Sequence, residues 1–182
     1  MFRTLSLLFL TLSAFQASAA VKSSDIFSTI NERLSYMEDV ALYKANKSLK
    51  IEDLARELVV LDKAKLSAQK EGLDIQSVTG FFQAQISAAK AIQYRYRADL
   101  LSASSDKTPV DLKSVVRPNL IRLGAKLNEE LADFLTHGGT FKPSEINDFN
   151  QALTSPFLSE NDKKMLFNAL TNIRMQQKTT VQ

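Results

Sequence analysis

The 182-residue sequence contains no cysteine and no tryptophan, a single histidine (His137), five glycines and four prolines. Without cysteine the chain forms no disulfide and no thiolate zinc site, so its stability must come from packing. A histidine-based metal site or a Ser-His-Asp triad would rest on His137 alone. The shortage of Gly and Pro leaves few tight turns, and the apolar residues recur at helical spacing; together these predict an all-α protein. An excess of one charge is also missing. The net charge is +3, or +2 once Arg3 is removed, and basic residues alternate with acidic ones. A nucleic-acid partner would require a concentrated basic face, which this pattern does not supply.

What is present begins with a leader-like segment. Met1-Phe2-Arg3 is a short positive start, Leu5 to Phe15 an apolar centre, and Ala17-Ser18-Ala19 an A-x-A cleavage signal. The apolar centre has the length of a signal-peptide core and is too short to span a bilayer. The expectation is a signal peptide over 1–19, a single domain over 20–182 beginning at Ala20, and export to the periplasm, with no membrane association after cleavage. An uncleaved N-terminal anchor is the alternative. At 45% hydrophobic residues, the remainder suffices for one core.

About six helices are expected. The first runs from Ser23 or Ser24 to Ala45, with Ile26, Ile30, Leu34, Met37, Val40 and Ala41 as its buried stripe. Asn46 to Glu52 is a loop. Asp53 caps a second helix that ends at Glu71 before Gly72, with Leu54, Leu58, Val59, Leu61, Leu66 and Ala68 on its apolar face. Asp74 caps a third helix reaching Ala103, with Phe81, Phe82, Ile86 and Ile92 inward. Ser104 to Val110 is a linker. A fourth helix starts at Asp111, carries Val115, Val116, Leu120, Leu123, Leu127 and Leu131 inward, and ends at Gly138-Gly139; Pro118 either kinks it or marks a later start near Arg117. Two shorter helices follow, Pro143 to Leu153 and Ser159 to Met175, before a frayed polar tail from Gln176.

The polar residues of Asn31 to Val60 form an unusual group. Arg33 and Lys44 are eleven residues apart, about three helical turns or ~16 Å, and so project from nearly the same face. Arg56 and Glu57 lie in the first turn after the Asp53 cap, where an arginine opposes the helix dipole and thus hints at another task. Three cations and two carboxylates on two helices suit a pocket for a small dianion, to be completed by Gln93 and Arg117. Gln85, Ala89 and Gln93 share one stripe of the third helix and give it a partly polar lining. By contrast, Lys90, Arg95 and Arg97 read as a solvated basic edge, and His137 as a cation at a helix C-terminus.

Taken in order, these residues resemble the chorismate mutases of the all-helical class, in particular the secreted gamma subclass. The resemblance covers Ile26 to Leu131. It rests on Arg33 and Lys44 in the first helix, Glu52-Asp53-x-x-Arg56-Glu57, Gln85-Ile86 followed by Ala91-Ile92-Gln93, and Arg117 from a later helix. Ala89 departs from it, standing where several relatives have Ser or Thr. The resemblance implies a cofactor-free and metal-free isomerase that rearranges chorismate to prephenate, and a homodimer. It implies Lys44 and Gln93 as the catalytic donors to the ether oxygen. It also implies Arg33, Arg56, Arg117 and Lys44 at the substrate carboxylates, Glu57 at the hydroxyl, and Asp53 as a cap that also contacts the hydroxyl region. The same scaffold also serves isochorismate pyruvate-lyase. A non-catalytic binding protein for such metabolites is the alternative outside enzymology.

Overall fold

Helix α4 (Ile75–Asp99) is the longest element in a computed structural model that describes residues 20–103 and 105–177. Residues 1–19, over which a signal peptide is expected, together with Ser104 and the last five residues, lie outside the described residues. Before α4 come α1 (Ser23–Ser35), α2 (Met37–Asn46) and α3 (Leu54–Lys70); after it come α5 (Arg117–Thr136), α6 (Ile146–Ala152) and α7 (Glu160–Thr171). Helices α2, α3 and α7 pack against α4, and α1 packs against α5. No strand forms among the described residues, and no helix there is long and apolar enough to cross a membrane.

The helix starts follow from local side-chain chemistry. Asp53 accepts from the Arg56 amide at 3.0 Å and Asp74 from the Ser77 amide at 2.8 Å, each satisfying a first-turn N–H that has no partner within its helix. Ser159 and Asp162 cap each other at the start of α7. Two stops need glycine. Gly72 has φ +71°, the left-handed turn that ends α3. A Cβ on Gly139 would lie 2.5 Å from the Phe134 ring, so only a residue without a side chain fits there.

Several expectations are corrected. The first predicted helix is two segments, α1 and α2, interrupted at Tyr36. Ser35 Oγ donates back to the Glu32 carbonyl at 2.8 Å, a side-chain bond that competes with the helical ladder at this break. α4 stops at Asp99 rather than Ala103. Pro118 marks the later start: Leu112–Val116 is a π-turn and the α-helix begins at Arg117. The wider turn accommodates a residue that lacks an N–H and crowds the preceding turn. At the C-terminus, α7 ends at Thr171 and the chain becomes extended. There the Asp74 amide donates to the Arg174 carbonyl at 2.9 Å, and the Gln176 amide to Gly72 at 2.8 Å, so the tail starts anchored rather than frayed.

The largest correction concerns α3. Its predicted apolar face is mostly outside: Leu54 is 70% exposed, Leu58 and Leu66 62% each, and Val59 is also exposed. Only Ala64 and Ala68 are buried, which lets α3 approach α4 and α5 closely. Val115 is likewise exposed. The other stripes hold: Ile26, Ile30, Leu34, Met37, Val40 and Ala41 of α1–α2 are buried, as are Phe81, Phe82 and Ile92 of α4 and Leu123, Leu127 and Leu131 of α5. The C-terminal helices close one end of the core with aromatic rings. Phe27 meets Phe149 edge to face at 5.1 Å, and Phe149 meets Phe167 at 5.2 Å. This leaves the opposite side of α4, between α1–α2, α3 and α5, for a cavity.

Candidate active site

That cavity has a volume of about 460 Å³, within the range of small-molecule sites. Arg33, Lys44, Asp53, Arg56, Glu57, Gln93 and Arg117 all line it. The sequence places them on five elements, and the fold brings them to one space. Seven cations and four carboxylates border it, an excess of positive charge facing inward.

Arg33, near the C-terminus of α1, is only 8% exposed. Its Nε donates to Gln85 Oε1 at 2.8 Å and its Nη1 to the Leu120 carbonyl at 2.7 Å, while the guanidinium lies over the Phe82 ring at 5.2 Å. Burial lowers its pKa to about 10, so it stays a cation at neutral pH. No carboxylate of the described residues pairs with it. Gly124 of α5 allows this placement, since a Cβ there would sit 3.1 Å from Nη1.

Lys44, in the last turn of α2, donates to the Ile51 carbonyl at 2.7 Å. Burial pushes its pKa down; Asp53 raises it and Arg117 lowers it further. Asp53 caps α3 and stands 4.0 Å from Arg117 Nη2. Arg117 reaches this place because the α-helix starts at its own position, after the π-turn. Arg56 also has a lowered pKa, from burial first and then from the nearby Arg117 charge. Two guanidinium groups are thus held near each other with Asp53 as their shared carboxylate neighbour.

Gln93, on α4, is buried. Its Nε2 donates to the Ala89 carbonyl at 3.1 Å and touches the Met37 sulfur at 3.7 Å, while Oε1 is without a partner. One of its two N–H bonds is therefore engaged only weakly and can turn to a ligand. Ala89 contributes a methyl group to the wall and no hydroxyl.

Sequence reasoning missed Lys90. It is not part of a solvated edge: its Nζ lies 3.1 Å from Glu52 Oε2 and 3.3 Å from Glu57 Oε1, tying the α2–α3 loop and α3 to α4. Burial lowers its pKa, but the hydrogen bonds to Glu52 and Glu57 prevail and hold it above the usual lysine value. Nothing in the local spacing of α4 announces this, because both carboxylates come from across the cavity. Arg95 and Arg97 are engaged too, Arg95 with Asp162 and the Phe157 carbonyl, Arg97 with the Leu49 carbonyl. His137 stands where expected, at the end of α5 and bonded to Asp133, away from the cavity.

The cavity therefore offers fixed cations and neutral amide donors around an apolar wall of Leu34, Val40, Ile51 and Ile86. Such a lining binds a small anion in a set shape and stabilises negative charge that develops within it. Comparison with known proteins agrees with that chemistry. Residues 23–94 match the family model for chorismate mutase type II. The chain is 40% identical over 172 residues to a monofunctional chorismate mutase of Enterobacter agglomerans, covering 94% of each protein. It is 38% identical over 169 residues to a secreted chorismate mutase of Yersinia pestis, covering 90% of this chain and 89% of the relative. The crystal structure of the Yersinia pestis secreted enzyme superposes with a TM-score of 0.77, spanning 84% of this chain and 98% of that one. A chorismate mutase structure from Burkholderia thailandensis, 25% identical, reaches 0.66, spanning 82% and 96%. The chain belongs to the all-helical, type II chorismate mutase family, whose members are isomerases.

Proposed function

We propose that the protein rearranges chorismate to prephenate within this cavity, with Lys44 and Gln93 as its catalytic donors. The observation that carries the proposal is the convergence of all seven residues on one cavity, with Arg33 buried and lacking a carboxylate. A cation in that state favours an anionic ligand. The reaction is an intramolecular pericyclic shift: the C–O ether bond breaks as a C–C bond forms, with no proton transfer and no nucleophile from the protein. The protein supplies shape and fixed charge. Arg33, Arg56 and Arg117 hold the two carboxylates and select the compact conformer that reacts. Lys44 and Gln93 donate to the ether oxygen, where negative charge grows in the transition state. Glu57, already oriented by Lys90, accepts from the substrate hydroxyl, and Asp53 presents the first turn of α3 to that region. Purified protein mixed with chorismate should consume it, seen as loss of ultraviolet absorbance, with prephenate as product. No turnover between about pH 4 and pH 8 would refute the proposal.

The leader pattern, together with the Yersinia pestis relative named as secreted, supports export and a domain of 20–182. N-terminal sequencing of periplasmic protein should start at Ala20; recovery with Met1 intact would refute cleavage. The exposed leucines of α3 support a homodimer, because large apolar patches usually mark contacts between proteins.

A further inference from the structure

Arg33 is unusual in what surrounds it. Its guanidinium is buried, and both groups that accept from it, Gln85 Oε1 and the Leu120 carbonyl, are neutral. A carboxylate at position 85 would match a buried arginine better, by charge and by bidentate geometry. Gln85 is itself almost fully buried on α4 and lines the cavity, and its Nε2 has no hydrogen-bond partner. A buried N–H₂ group without an acceptor carries a desolvation cost unless something enters to accept from it. Phe82 lies beneath the guanidinium, and Gly124 leaves the room beside it that this orientation needs.

We propose that Gln85 is a positioning residue for substrate binding: its amide fixes Arg33 as a neutral acceptor, leaves the full positive charge for a substrate carboxylate, and turns its free Nε2–H toward the same oxygens. This rests on the proposal that the cavity binds chorismate. Glutamine here serves specificity by being uncharged, since a carboxylate of nearly equal shape would occupy Arg33 before the substrate arrived.

Gln85→Glu separates that role from packing. The variant keeps the shape and the acceptor for Nε and changes only the charge and the second donor. Expected are a melting temperature equal to or above that of the parent, a KM for chorismate raised about tenfold or more, and a kcat within about threefold, the pattern of lost ground-state binding. A KM within about twofold of the parent would overturn the proposal. So would failure of the variant to fold, because the carboxylate is argued to be the better partner for Arg33. A loss appearing equally in kcat and in kcat/KM would also overturn it, since Gln85 would then act on the reacting atoms. If the parent protein itself does not turn over chorismate, the functional proposal fails first and independently of Gln85.

Discussion

In the proposed mechanism Lys44 carries the most chemical weight among single residues, and its environment makes a sharp expectation. In the unliganded cavity its ammonium rests on the Ile51 carbonyl at 2.7 Å, half-buried and close to the Arg117 charge. Exchanging that neutral acceptor for an ether oxygen gaining negative charge strengthens the interaction in the transition state. Lys44→Ala should therefore lower kcat/KM by about 10²–10³-fold, or about 3 kcal/mol, with the melting temperature little changed. The sign of the pH dependence follows from burial. Lys44 and Arg33 both have lowered pKa values, Arg33 about 10, so at alkaline pH each binds fewer protons in the folded than in the unfolded chain. Their burial penalty fades, and their contribution to stability rises, as pH climbs through those lowered values. Activity runs the other way, because donation and carboxylate binding need the protonated forms. The pH profile of kcat/KM should accordingly fall on its alkaline side below the usual lysine value. On the acid side Gln93 imposes no limit, for an amide donates at any pH. Gln93→Glu should restrict activity to acid, where the carboxyl is protonated; a Gln93→Glu enzyme equally active at neutral pH would remove Gln93 from the ether oxygen.

Helices determine how precisely those side chains meet, and their starts were more legible than their stops. Asp53, Asp74 and Ser159 are caps readable from the chain because each acts on its own first turn. Asp53→Ala should cost about 1 kcal/mol of stability in thermal unfolding, the loss of one cap bond. It should also lower activity, since Arg117 loses its carboxylate neighbour 4.0 Å away. The break at Tyr36 and the π-turn before Arg117 were less legible, being set by competing hydrogen bonds and by Pro118 rather than by periodicity. Arg33, Lys44, Arg56 and Gln93 were found by order and spacing. Gln85 was recognised only as lining and Lys90 was misread, because their partners come from other helices and no local pattern encodes them. Gly124 shows the same coupling between helix and site. In isolation Gly124→Ala would strengthen α5 by about 1 kcal/mol. Its Cβ would stand 3.1 Å from Arg33 Nη1, so the guanidinium must shift by a few tenths of an ångström. The expected outcome is a higher KM for chorismate with stability unchanged or slightly improved.

The exposed face of α3 is where periodicity and the single chain disagree. Its leucines recur at the spacing of a buried stripe, yet Leu54 and Leu58 are 70% and 62% exposed, while the buried positions are alanines. Periodicity reports which residues avoid water, and does not say whether the same chain or another covers them. The proposed homodimer would resolve the disagreement if a second copy covered α3. On the same helix Asp62 and Lys65 pair at 3.8 Å, so these two charges offset each other. The enzyme should therefore sediment as a dimer at micromolar concentration. Leu54→Glu with Leu58→Glu should shift it toward monomer, because burying two carboxylates in an apolar contact is strongly unfavourable. As both side chains are solvent-facing in the single chain, the substituted monomer should retain its helical circular dichroism. A parent protein that sediments as a monomer, or a substituted one that remains a dimer, would show that α3 is not the contact. Catalysis offers a further discrimination: all seven site residues come from one chain, so a folded monomer should keep chorismate turnover, with any loss reflecting looser seating of α3 against the cavity.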